Sequence, residues 1–322
     1  MRISRGPMIA FVSAGLALFS ASTFAESWPQ RTVRLIVPVP AGTGADFAAR
    51  LFADRLSQRW HQAVIVENRP GADGVIGVSA FLAADDDHTL LFAISAVVTV
   101  HPVTRKLPYD PVRELVPISS ASDIILAIAA SNKSTIHSLA ELEQAARARP
   151  GQINWTSSPG LPPFVVGGFF KKSGLDLVSV PYRDLAPALE DLREGRIGIM
   201  VHALGVLLPQ VRGDKARLLA VANRDRAAIA PETPTVVEAG YPGLQMDGLL
   251  GFYGRSGMAV ERRYRIAADI RAIAEDPAMR ERLAPVAQAP RSSSSVEFAA
   301  LLQQYRQRVS ALARTMGSAS TQ

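Results

Sequence analysis

"VRLIVPVPAGTGADFAARLF", residues 33–52, decides how the rest of the chain is read. Val33–Val37 is a run of β-branched and aliphatic residues with no alternation, the pattern of a strand buried on both faces. The turn "PAGTGAD" follows, and Phe47, Leu51, Phe52, Leu56 and Trp60 then recur at helical spacing. A glycine turn between a strand and a helix aims free N–H groups and the positive end of a helix dipole at one spot, where an anion sits well. The same residues also make an ordinary tight connection, and the stretch alone supports either reading. The third glycine of a dinucleotide fingerprint would fall at Phe47, and the Lys-Ser/Thr of a Walker loop is missing, so both nucleotide motifs fail.

Outward from that turn the alternation continues. Ala63–Asn68 is a second strand, Arg69–Gly74 a turn cluster, a short helix runs to about Ala84, and Thr89–Ser95 is a third strand. Strand–helix alternation of this kind predicts a parallel sheet with right-handed crossovers. "KLPYDPVREL", Lys106–Leu115, interrupts it, and a second α/β unit begins at Ile124–Ser131. Ser138 and Glu141 form a capping box, and a further helix is predicted over Pro163–Lys172, with Gly174 just past its end. "LVSVPY", "RIGIMVHA" and "RLLAVAN" supply strands, with helices from Pro187 and near Val206–Val211. A strand at Gly248–Gly257 and a final helix from Ser294, capped by Glu297, to about Met316 complete the chain. A second turn of the opening type, "TSSPGLPPF" at Thr156–Phe164, again lies between a strand and a helix. Tyr182 ends a neighbouring strand. Two such turns facing each other describe a ligand held between two lobes at the carboxyl ends of the strands.

With 322 residues, 48% of them hydrophobic and 20% charged, the chain can bury the cores of two domains. The formal charge of +6 is dispersed; Arg224–Arg226 and Arg262–Arg265 are short clusters without interleaved aromatics, which argues against nucleic acid. At the N-terminus Arg2 and Arg5 precede an apolar stretch, Met8–Phe19, shorter than the ~20 residues of a spanning helix. Thr23 and Ala25 satisfy a signal-peptidase site, so export with cleavage after Ala25 is expected. There is no cysteine, hence no disulfide, thiol nucleophile or lipid anchor on cysteine. "GVSAF" around Ser79 lacks the second glycine of a hydrolase elbow. The five histidines show no metal-binding spacing, and Asp85–His88 reads as a solvated turn. No metal, no cofactor and no catalytic residue is expected.

Several stretches together resemble one family: "WPQRTVRLIVPVPAGTGADFAARL", "VIVENRPGADGVIG", "TLLFAIS", "KLPYDPVREL", "RPGQINWTSS", "VPYRDLAPALEDLREGRI" and "PTVVEAGYPG". Their order and spacing from about Trp28 to Met316 are those of the Bug (TctC-like) periplasmic solute receptors, which serve tripartite tricarboxylate transporters. The resemblance implies an α/β, type II periplasmic binding fold of two lobes with the ligand cleft between them. Lobe 1 would comprise 26–124 and 246–322, and lobe 2 would comprise 125–245, after a leader over 1–25. It implies a monomer in the periplasm that captures a small organic acid and docks on membrane permease subunits, with no bond made or broken. The ligand's carboxylate would meet the first turn, Pro40, Ala41, Gly42, Thr43, Gly44 and Asp46. Ser95 of lobe 1 and Thr156, Ser157, Ser158, Phe164, Tyr182, Asp184 and His202 of lobe 2 would complete the site.

The sequence departs from the family pattern where the pocket should be. Pro163 and Phe164 replace a Ser/Thr-His pair, Asp184 replaces a glycine, and Gly198 replaces an acid. Val201 and His202 stand for a Phe/Asp pair, while Val97 and Val98 stand for polar residues near Ser95. Hydroxyls are lost and a carboxylate is gained, which disfavours a highly charged anion. The expectation is a ligand less anionic than a tricarboxylate: a monocarboxylate with an apolar body, or an acid bearing an amine or amide. The same receptor could instead present its ligand to a sensor kinase. An exported hydrolase on this fold lacks an assembled nucleophile and base.

Overall fold

The computed structural model describes residues 28–316; the expected leader and its cleavage point after Ala25 lie outside the described residues. β1 (Val33–Val37) runs parallel to β2 (Val64–Asn68) on one side and to β3 (Thr89–Ile94) on the other. Its unbroken apolar run follows from this central position. Leu35 and Val37 pack with Phe52 and Leu56 of α1 (Gly44–Trp60), whereas Ile36 packs with Val78 and Phe81 of α2 (Val75–Ala83). Beyond β3, the short helices α3 (Ala96–Thr99), α4 (His101–Thr104) and α5 (Pro111–Glu114) lead into β4 (Leu115–Ile124).

β4 has no counterpart in the sequence-based expectation. Its "LVPISSASDI" carries a proline and fully buried Ser119, Ser120 and Ser122, which hides both strand periodicities. The hydroxyls find partners far along the chain: Ser119 Oγ donates to Ser293 O at 2.8 Å and Ser122 Oγ to Gln288 Oε1 at 2.9 Å. Burial of these serines is tolerated because they are bonded.

β5 (Leu126–Ser131) opens the second sheet, followed by α6 (Leu139–Ala148), β6 (Asn154–Ser157), α7 (Pro162–Lys172), β7 (Val178–Ser179), α8 (Leu185–Arg193), β8 (Ile199–Ala203), α9 (Leu204–Arg212) and β9 (Ala216–Val221). β10 (Gly248–Arg255) then returns to the first sheet, and α10 (Val260–Ala274), α11 (Pro277–Leu283), β11 (Gln288–Pro290) and α12 (Ser295–Met316) finish the described chain. The first sheet has the order β11-β4-β10-β3-β1-β2 and the second β7-β6-β8-β5-β9. β1, β2 and β3, the strands for which a parallel arrangement is expected, are parallel, but neither sheet is parallel throughout. β10 is antiparallel to β3 and β4, and β5 is antiparallel to β8 and β9, because both strands come from segments that cross between the sheets.

The two sheets with their flanking helices form two α/β lobes, as expected. The second has its own core, with Trp155, Phe170, Ile199 and Val201 on one face and Leu192, Met200, Leu204 and Leu207 on the other. Asn223 fastens the crossovers: Leu126 N–H donates to its Oδ1 at 2.7 Å and its Nδ2 donates to Ile124 O at 3.2 Å. Met246 N–H donates to Ala222 O at 2.9 Å beside it. α12 reaches over both lobes. Its Val309 joins Ala96 and Val100 in an apolar seam, its Leu312 lies against Gly168 of α7, and Arg308 donates to Gln245 O at 2.8 Å.

Candidate functional site

The first turn is organised by its own carboxylate. Asp46 is 3% exposed and accepts from Gly42 N–H at 2.9 Å, Asn68 Nδ2 at 2.8 Å and Arg50 Nε at 3.1 Å. Burial pushes its pKa up, but the bonds from Arg50, Gly42 N–H and Asn68 outweigh that and hold it below the ordinary 3.8. Thr43 caps α1, its Oγ1 accepting from Asp46 N–H at 3.3 Å and donating to Pro40 O at 3.0 Å. Gly42 has a φ of +82°, which is why a glycine stands there. Among the described residues no acceptor meets the N–H groups of Thr43, Gly44 and Ala45, the free start of the 17-residue α1. Pro40, Ala41 and Gly42 are exposed, and a Cβ on Gly44 would come within 3.0 Å of Gln288 Nε2 in β11.

A cavity of about 180 Å³ lies where the two lobes meet. Ile94, Ser95 and Ala96 enter from the end of β3, Ser158, Pro159, Leu161 and Pro162 from the turn after β6, and His202 and Ala203 from the end of β8. Ile124, Leu126, Asp247 and Gly248, from the two crossovers, close its back. The position follows from topology, since β3, β6 and β8 all deliver their carboxyl ends to it. His202 is partly buried, and burial lowers its pKa to about 4. Ala203 N–H donates to its Nδ1 at 2.9 Å, so the neutral ring carries its proton on Nε2 and is a donor there. Ser95 and Ser158 add hydroxyls. Gly160 N–H meets no acceptor at the approach to α7 among the described residues.

Asp247 has a more elaborate setting. Its Oδ2 accepts from Tyr305 Oη at 2.8 Å and from Arg291 Nη1 at 3.1 Å. The same Nη1 donates to Asp123 Oδ2 at 3.0 Å. Burial pushes the Asp123 carboxyl up to about 6, against the pull of Arg291, and its Oδ1 is buried without a partner. Asp123 and Asp247 flank the ends of paired β4 and β10, which explains their proximity.

Ser95, Ser158 and His202 are therefore brought together at one cavity. Pro40–Asp46, Tyr182 and Asp184 are not among its lining residues. Thr156 is buried within β6 beside Ser157, one step behind Ser158. Phe164 packs in the adjoining seam with Ala96, Val100 and Val309. Tyr182 Oη donates to Asp191 Oδ2, which together with burial pushes its pKa up to about 12 and commits it to α8. Asp184 is exposed at the start of α8. Val97 and Val98 turn into the core of the first lobe rather than into the cleft. Sequence reading missed Asp247, Gly248, Ile124 and Leu126. Nothing in their spacing signals that two crossovers meet; only their place at or just before the start of two predicted strands could have suggested it.

Other concavities belong to one lobe each. A groove of about 1120 Å³ between Pro102–Arg113 and α12 is lined by Arg105, Lys106, Arg306 and Arg314, all outside the second sheet and its helices. The acidic turn Asp85–His88 is taken up by Arg34, Arg255 and Arg262.

The chain is similar to several known proteins. The pattern of the TctC family, described as "Tripartite tricarboxylate transporter family receptor", matches residues 48–318. A UPF0065 protein of Bordetella bronchiseptica is 33% identical over 293 residues, covering 90% of this chain and 87% of its own. Protein BugT of Bordetella pertussis is 32% identical over 239 residues, 73% of this chain and 72% of its own. Among solved structures, an R. palustris protein with adipate superposes with a TM-score of 0.78 at 26% identity, covering 90% of this chain and 98% of that one. A structure described as a periplasmic transporter gives the same TM-score at 27% identity, covering 91% and 99%. The match over most of the length, in sequence and in fold, makes this chain a member of the TctC family of tripartite tricarboxylate transporter receptors, a family of binding proteins rather than enzymes.

Proposed function

We propose that the protein captures a small carboxylate-containing organic acid between its two lobes and hands it to the membrane permease of a tripartite tricarboxylate-type transporter. It acts as a monomer outside the cytoplasmic membrane, after removal of its leader at Ala25. Lobe 1 spans 26–124 and 246–322, lobe 2 spans 125–245, and the segments joining them are the hinge. The observation that carries the reading is the cavity between the lobes, with Ser95 on one side and Ser158 and His202 on the other. Its donors are neutral, which suits one carboxylate better than three. The adipate named with the R. palustris neighbour is a small carboxylate and supports the class. The N–H groups at the start of α1 stand ready as a second contact for the anion once the lobes shut.

Thermal-shift and calorimetric titration of the mature chain with C3–C6 monocarboxylates, dicarboxylates, amino acids and citrate tests the reading. A ligand at 100 times its Kd adds about 2.7 kcal/mol, a shift of several degrees. Ser158→Phe, which fills the cavity, is expected to lower the affinity at least tenfold. Undiminished binding in Ser158→Phe would place the site elsewhere. Tight binding of citrate alone would contradict a weakly charged ligand.

A further inference from the structure

The cavity wall sets a problem for a plain carboxylate. Among its lining residues there is no lysine or arginine, and the one formally charged side chain is the acid Asp247. Behind it, Asp123 and Asp247 share a single guanidinium nitrogen of Arg291, at 3.0 and 3.1 Å. Two carboxylates against one arginine leave the group formally one charge negative, and Asp225 adds a further acid nearby. Both hydrogen bonds to Asp247 fall on Oδ2, from Arg291 and Tyr305, so Oδ1 has no protein partner among the described residues. Tyr305 and Arg291 hold this carboxylate from behind, in a fixed orientation at the cavity wall. An anion entering here meets a like charge, whereas a protonated amine meets an acceptor already in place.

We propose that the captured acid is zwitterionic, an amino acid whose ammonium group donates to Asp247 Oδ1 while its carboxylate takes the donors of Ser95, Ser158 and His202 Nε2. The cavity wall then carries groups of opposite character: hydroxyl and imidazole donors from Ser95, Ser158 and His202, and the anchored carboxylate of Asp247. A cavity of about 180 Å³ suits a small amino acid rather than a peptide. Ile94, Ile124, Leu126 and Leu161 give its carbon chain an apolar lining. Asp247 is thus the residue that selects amino acids over deaminated acids of the same skeleton. This inference rests on the inter-lobe cavity being the capture site.

Matched pairs test it by calorimetry at pH 7 on the mature chain: L-alanine and propionate, 4-aminobutyrate and butyrate, L-leucine and 4-methylpentanoate, L-glutamate and glutarate. In at least one pair the amino member is expected to bind tenfold or more tightly than its partner. Asp247→Asn is expected to lower that affinity at least tenfold and to leave the deaminated partner unchanged or improved. The wild-type ratio decides the matter without the variant, should Asp247→Asn fail to fold. Deaminated acids binding as well as their amino partners in every pair, or a ratio untouched by Asp247→Asn, would overturn the amine assignment and leave capture of an acid standing. Absence of binding by all eight compounds would overturn both.

Discussion

The carboxylate of Asp46 occupies with its own oxygen one of the donors that the glycine turn holds out to an anion. In sequence, Gly42, Gly44 and Asp46 mark a cradle or a connection equally well. In the structure the turn is partly filled from within, by the bond from Gly42 N–H at 2.9 Å. Asp46→Ala removes the acceptor of that N–H, the partner of Arg50 Nε and one of two acceptors of the Asn68 amide, which keeps Val39 O at 3.2 Å. A loss of about 1–2 kcal/mol is therefore expected in chemical denaturation at pH 7. The pKa of Asp46 is held below 3.8 in the folded chain, so its contribution is full above that value and fades as pH falls through the folded pKa. The penalty of Asp46→Ala should therefore shrink below about pH 4; a penalty constant with pH would deny the carboxylate this role. Ser95, Ser158 and His202 were legible because they end predicted strands. Asp247 was not, since a residue one step before a strand carries no periodic signal. Tyr182 and Asp184 sit at the right strand end but are drawn away, Tyr182 by Asp191 and Asp184 by exposure.

Elements with a clear period were readable almost to the residue. β1 and α1 follow the apolar pattern, and Ser138 and Thr43 cap the helices that they precede. The strands that escaped notice are those whose reason for being strands lies elsewhere in the chain. β4 buries three serines because Gln288 and Ser293 come to meet them, and β11 is three residues long. β10 depends on such distant partners too. A Cβ on Gly251 would stand 2.3 Å from Phe298 Cζ and 2.9 Å from Ser119 O, both fixed in the core. Gly251→Ala is expected to cost about 1–3 kcal/mol and to push α12 off the sheet. Because α12 also lines the seam beside the cavity, ligand affinity should fall with stability. A variant as stable as wild type by thermal melting would show that Phe298 yields more easily than its fully buried ring suggests.

The whole molecule is two sheets joined by crossovers that Asn223 fastens, with α12 laid over both. That arrangement was foreseeable as two α/β units; its mixed strand directions were not, because the crossing segments and the three-residue β11 reverse them. The proposal that the two lobes close on the ligand is the claim on which the account stands. The absence of cysteine makes it directly measurable. Cysteines introduced at exposed Gln58, in the first lobe, and exposed Ala186, in the second, can be spin-labelled without background. The inter-label distance is then read by pulsed electron paramagnetic resonance, with and without a saturating acid from the panel. The account predicts that the distribution narrows and its mean shifts when the acid binds; a bound acid that leaves the distribution unchanged would contradict capture between the lobes.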